Sequence, residues 1–168
     1  MAWPKSRSLK TTTPDMHEAG ASPAVRATCV ANAECLAHLL QLLDRYCLQH
    51  GVDSESLHDL HLIAEEACVN VLRHAYPADK PGPLGLLVQA KARDGRTLIE
   101  VTIEDEGIPF DPLSLPEPCR DGTVEDMPLG GLGVMLIRRL SDVQRYTRDP
   151  VRGNVFTLCK FLPVAGGA

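Results

Sequence analysis

The 168-residue chain is short of aromatic side chains, which make up only 4% of it, so its core must be built mainly from Leu, Val, Ile and Ala. It also lacks a surplus of positive charge. With 17 Lys and Arg against 22 Asp and Glu, the net charge is -5, which argues against non-specific nucleic-acid binding driven by phosphate neutralisation. A nucleotide is not excluded, because its phosphates can be held by backbone amides and a metal ion. None of the six cysteines (Cys29, Cys35, Cys47, Cys68, Cys119, Cys159) forms a C-x-x-C pair, so neither a zinc site nor a dithiol redox motif is indicated. Several lie in apolar runs, where a thiol behaves as a small hydrophobe, and the pattern reads as that of a reducing compartment. No run approaches the length of a membrane span. Lys5, Arg7 and Lys10 are not followed by an apolar stretch, so no secretory signal is expected. These absences predict a soluble, cytoplasmic protein with no direct nucleic-acid or membrane partner.

What is present is ordinary globular composition, 44% hydrophobic and 23% charged, at a length that suits one domain. Residues 1–22 mix Lys, Ser, Thr, Pro and Gly without periodicity and read as a flexible tail, as do 164–168, leaving a domain over 23–163. Val25–Val30 reads as an edge strand. Asn32 is a plausible cap for a helix with Leu36, Leu39, Leu40 and Leu43 at helical spacing, stopped by Gly51. A second helix starts at Ser54 or Ser56 and runs to about Ala75. Strands are predicted over Leu84–Ala92 and Arg96–Glu104, joined by the hairpin signal Asp94-Gly95. After a long Pro/Asp/Gly-rich stretch, 106–129, come a helix over Val134–Leu140 and two strands, Val143–Arg148 and Asn154–Phe161. Helices, hairpin, loop, helix, hairpin is the order of an α+β two-layer sandwich, with a mostly antiparallel sheet covered by helices on one face.

Chemistry enters on the second helix. Most of its directions are apolar, but Glu66, Asn70 and His74 fall at i, i+4 and i+8 on one line. A buried helix should not carry a carboxylate and an amide without partners. The alternative is a plain solvated strip, with Glu66 beside Arg73. An Asn oxygen can ligate Mg²⁺ and a neighbouring carboxylate can take a proton from an attacking hydroxyl, two functions that phosphoryl transfer needs. Farther on, Asp105 and Gly107 end a strand; either they form a simple turn or they offer a carboxylate beside a closely approached backbone. Gly130-Gly131-Leu132-Gly133 opens a helix, where free amides and the helix dipole favour an anion. No G-K-[ST] follows, so this is not a Walker A loop. His58 and His61 read as surface histidines rather than metal ligands, since no third ligand is evident.

In this order the three stretches I-A-E-E-A-C-V-N-V-L-R-H-A-Y (63–76), E-D-E-G-I-P-F-D (104–111) and G-G-L-G-V-M-L-I (130–137) resemble the N box and the two glycine boxes of the GHKL, or histidine-kinase-like, ATPases. The Glu four residues before the Asn is similar to the anti-sigma-factor serine/threonine kinases of the RsbW and SpoIIAB type. The resemblance implies a Bergerat fold, ATP and Mg²⁺ as cofactors, Glu66 as general base and Asn70 as metal ligand. It implies that Asp105 accepts from the adenine amino group, with Gly107 allowing the base to approach. Gly131 and Gly133 would lie against the phosphates, Thr157 near the adenine, and 112–129 would be the ATP lid. Arg73, His74, Phe110 and Leu132 join the cofactor-binding set through the same boxes. The implied activity is transfer of the γ-phosphate to Ser or Thr of a small anti-sigma-factor antagonist, with a sigma factor as a further partner and a homodimer as the expected assembly. The alternative is an ATP-binding module that switches partner affinity without phosphate transfer. A sensor-kinase fragment is disfavoured, since the chain carries no phosphoacceptor box.

Overall fold

The computed structural model describes residues 22–115 and 131–163. The described elements are β1 (Val25–Val30), α1 (Ala33–Gln49), α2 (Ser54–His74), β2 (Pro83–Arg93), β3 (Arg96–Asp105), α3 (Gly131–Leu140), β4 (Val143–Asp149) and β5 (Gly153–Phe161), with a 3-10 turn at Pro112–Ser114. Apart from Ser22, the expected tails fall outside the described residues, and so do most of the expected lid and Gly130.

Local chemistry sets the boundaries. The Asn32 side chain accepts from the Cys35 amide (2.8 Å) and caps α1. Gly51, at φ 66°, provides the left-handed residue that ends the helix. Asp53 caps α2 by accepting from Ser56 (2.9 Å). Ser56 is therefore inside α2, and the start lies at the earlier of the two expected serines. Asp94 and Gly95 both have positive φ, 53° and 73°, which gives the β2–β3 hairpin a tight two-residue turn matched to strand twist.

The five strands lie in the order β1-β2-β3-β5-β4, and each described pairing is antiparallel. The three described helices contribute to one core. Leu39, Leu43 and Tyr46 from α1 and Leu60, Ile63 and Ala67 from α2 pack on Leu86, Val88, Val101, Ile103, Phe156 and Leu158 of the sheet. Ile137 joins from α3. Tyr46 is buried, and its hydroxyl accepts the Ala90 amide (2.7 Å), so one of the few aromatics ties α1 to β2. His61 meets Asp44 across α1 and α2 (2.8 Å), a structural contact.

The reading of cysteine as a small hydrophobe holds for three of the five described cysteines. Cys29 at the end of β1 and Cys35 in the first turn of α1 are joined by a disulfide. Cys47, Cys68 and Cys159 are free and buried. Burial pushes the thiols of Cys47 and Cys68 up to about 12 and that of Cys159 to about 11, so these three fit the reading of cysteine as a small hydrophobe. The bridged pair does not. A strand-to-helix turn brings residues six apart into register, and spacing alone does not reveal this.

Candidate functional site

The C-terminal half of α2 lies beside the end of β3 and the start of β5, and the predicted residues meet there. Asp105 is the last residue of β3, and its register partner on β5 is Asn154. Cross-strand partners share a face, so both point to the helix side. Asp105 is buried at 7% exposure. Its Oδ1 accepts from the Gly107 amide (2.9 Å) and from Asn154 Nδ2 (2.8 Å). Burial pushes the Asp105 carboxyl above its ordinary value, while Asn154, Gly107 and the Arg148 guanidinium pull it back.

The turn carrying Asp105 is held from several sides. Tyr76, just past α2, accepts the Glu106 amide (2.7 Å) and donates to the Pro83 carbonyl (2.6 Å). The Ile108 amide reaches the Ala75 carbonyl (3.0 Å). Arg148 and Asn154 donate to the carbonyls of Gly107 (3.0 Å) and Ile108 (2.9 Å). A Cβ on Gly107 would collide with the backbone and side chain of Ala75. Gly107 is thus required by the close approach of this turn to the end of α2.

Asn70 and His74 reach the same pocket from α2, with Asp105, Phe110 and Phe156 on its other walls. Asn70 is buried, and its Nδ2 is the one buried side-chain polar atom without a hydrogen-bond partner among the described residues. An orphaned amide of this kind is costly unless something fills its valence. Which end of the amide points where is set by its surroundings, so the unmatched position suits an oxygen-seeking cation as readily as an acceptor. The cleft between these walls is lined mostly by apolar side chains, with Asn70, Asp105 and Asn154 as its polar members.

Glu66, one helical turn before Asn70, is half-buried and lies across the first turn of α3. A Cβ on Gly133 would overlap Glu66 Oε2 and come within 3.2 Å of its Cδ. The glycine therefore admits the carboxylate to the N-terminal end of α3, where the helix dipole favours it. Gly131 begins that helix and Leu132 is exposed at 54%.

Two expected residues stand apart. Arg73 is exposed and does not line the pocket. Thr157 is a correction: Phe156 and Leu158 face the helices, so Thr157 points to the opposite face of the sheet, where its hydroxyl meets that of Thr102 (3.3 Å). The position beside Asp105 belongs to Asn154, which the sequence reading missed. Its only sequence signal is its place after Gly153 at the start of the last strand.

With this geometry in hand, the class is plain. The chain matches the histidine kinase-like ATPase domain over residues 29–160 and belongs to that family. Within it, the chain belongs with serine-protein kinases of the RsbW type. It is 32% identical over 116 residues to the serine-protein kinase RsbW of Bacillus licheniformis, covering 67% of this chain and 69% of that protein. The same identity over 116 residues relates it to the RsbW of Halalkalibacterium halodurans, covering 67% of each. The fold is also that of a crystal structure of the RsbU and RsbW domains of a Mycobacterium tuberculosis protein, with a TM-score of 0.56 at 18% identity. That match covers 84% of this chain and about a third, 33%, of the larger one. No described helix is long and apolar enough to cross a membrane.

Proposed function

We propose that this chain is an ATP-dependent serine/threonine-protein kinase that transfers the γ-phosphate to a Ser or Thr of a small anti-sigma-factor antagonist in the cytoplasm. One observation carries the reading: Glu66 and Asn70, one turn apart on α2, stand between the buried Asp105 acceptor and the N-terminal end of the glycine-opened helix α3. That spacing lets one ligand meet a base-recognising acceptor at one end and helix amides at the other. Asp105 accepts from the amino group of adenine, and Gly107 keeps the turn close to the base. Phe110 and His74 wall the pocket, and the amides of Gly131, Leu132 and Gly133 face the phosphates. Arg73 lies on the exposed side of α2, outside the pocket lining. Glu66 takes the proton from the acceptor hydroxyl. Asn70 is the residue that would hold Mg²⁺, which when bound neutralises phosphate charge and aligns the transferred group. A sigma factor as second partner and a homodimer complete the proposal.

The test is incubation with γ-labelled ATP and candidate antagonist proteins from the same genome, with Glu66→Gln as the control. Transfer to a Ser or Thr that slows by roughly a hundredfold or more in Glu66→Gln, with ATP affinity nearly unchanged, supports the kinase. Partner affinity that responds to ATP with no phosphate transferred instead supports a binding switch.

A further inference from the structure

Asp105 is held in an unusual way for a residue that must recognise a ligand. Its Oδ1 is saturated by two donors, the Gly107 amide and Asn154 Nδ2, at 2.9 and 2.8 Å. Asn154 is itself fully committed. Its second Nδ2 hydrogen goes to the Ile108 carbonyl (2.9 Å), and its Oδ1 accepts from the Tyr146 hydroxyl (2.7 Å). Turning the amide over would set its oxygen against a carboxylate and a carbonyl, and its NH₂ against the hydroxyl. The orientation is therefore fixed by the network. Asn154 is 4% exposed, so water does not compete for these bonds. What remains of Asp105 for the pocket is Oδ2, and as long as the group is ionised that oxygen only accepts.

We propose that Asn154, oriented by Tyr146, is the positioning residue that sets purine specificity, by holding Asp105 as a fixed acceptor that takes a 6-amino purine and rejects a 6-oxo purine. The inference rests on the adenine-nucleotide reading above. A 6-amino purine presents a donor at the position where a 6-oxo purine presents an acceptor. A fixed carboxylate oxygen would meet that acceptor lone pair to lone pair. A site built to pair a donor rejects the analogue that lacks it far more strongly than an apolar pocket could. The groups around Asp105 support the arrangement. Burial alone favours the protonated acid, which could turn and donate to a 6-oxo group; Asn154, Gly107 and Arg148 oppose that. Without Asn154, Oδ1 keeps only one donor, and the carboxyl gains freedom both to rotate and to take up a proton.

The experiment compares ADP with IDP, which differs from ADP only in its 6-oxo group and protonated N1, by calorimetry in the presence of Mg²⁺. The wild-type chain is expected to prefer ADP by roughly a hundredfold or more. Asn154→Ala should cut that preference at least about tenfold, through weaker ADP binding and retained or improved IDP binding. Tyr146→Phe, which only releases Asn154, should move the ratio in the same direction by less. A purely structural role would weaken both nucleotides equally and leave the ratio unchanged, which overturns the proposal. If Asn154→Ala does not fold, Tyr146→Phe decides alone, and an unchanged ratio there is equally fatal. ADP binding with no preference over IDP in the wild type removes the proposal but leaves the nucleotide site. Binding of neither nucleotide removes both.

Discussion

Two glycines in this site differ in what surrounds them, and adding one methyl group to each separates chemistry from folding. In Gly133→Ala the new Cβ meets the far end of Glu66, overlapping Oε2 and lying 3.2 Å from Cδ and 3.5 Å from Cβ. That neighbour can swing away. The rotamer change costs about 0.5–1.5 kcal/mol, while Ala in place of Gly within a helix returns roughly 0.8–1 kcal/mol. Stability should therefore change by less than about 1 kcal/mol, or roughly 2–4 °C in melting temperature. The carboxylate, however, loses its place at the end of α3. A general base shifted by an ångström or so should slow phosphate transfer by roughly tenfold to a hundredfold. In Gly107→Ala the methyl meets Ala75 instead, 2.5 Å from its Cβ and 2.8 Å from its carbonyl carbon. Ala75 is buried at the end of α2 and cannot rotate out of the way. Overpacking there costs about 1–3 kcal/mol and displaces the Asp105 turn, so both melting temperature and ADP affinity should fall. Thermal denaturation, ADP calorimetry and transfer from γ-labelled ATP distinguish the two variants. Wild-type transfer in Gly133→Ala would refute the argument that Glu66 must lie against Gly133 to act as the base.

Further outcomes follow from the same contacts. Because burial raises the native Asp105 carboxyl above its ordinary 3.8, the native state binds the extra proton, and stability falls as pH rises through the raised value. Asp105→Asn should then melt no lower than the wild type at neutral pH, lose that advantage below about pH 3.8, and bind ADP much more weakly, as denaturation at several pH values and calorimetry would show. Tyr76→Phe deletes the acceptor of the Glu106 amide and the donor to Pro83, and should cost about 1–3 kcal/mol and weaken ADP, measured by urea titration. Ser in place of both Cys29 and Cys35 should lower stability under oxidising conditions by up to about 2 kcal/mol, the entropy of so short a loop, and leave it unchanged in reductant. Thiol titration of the denatured wild-type chain gives the independent check, with two more thiols after reduction.

The parts of this architecture written in local chemistry were legible before any coordinates. The cap at Asn32, the Asp94-Gly95 turn and the i, i+4 relation of Glu66 to Asn70 each depend on residues a few positions apart, and each element they bound lies within a few residues of its expected place. Thr157 and Asn154 depend on something different. Strand β5 pairs with β3 across about fifty residues of intervening chain, and the register Asp105–Asn154 is a tertiary fact. Along β5 every residue from Gly153 to Cys159 is buried, so the usual alternation of polar and apolar positions, by which a strand declares its inward face, is missing. A Thr in such a run carries no mark of which side it takes. Had β5 been amphipathic, Phe156 and Leu158 would have fixed the inward face and put Asn154, two residues earlier, on it. The same blindness hid the disulfide and the contact of Glu66 with Gly133, both of which join different elements. Site chemistry carried by one helix can be read from its period. Site chemistry assembled across a sheet can be read only once register is known, and in this fold the adenine end of the pocket is of the second kind.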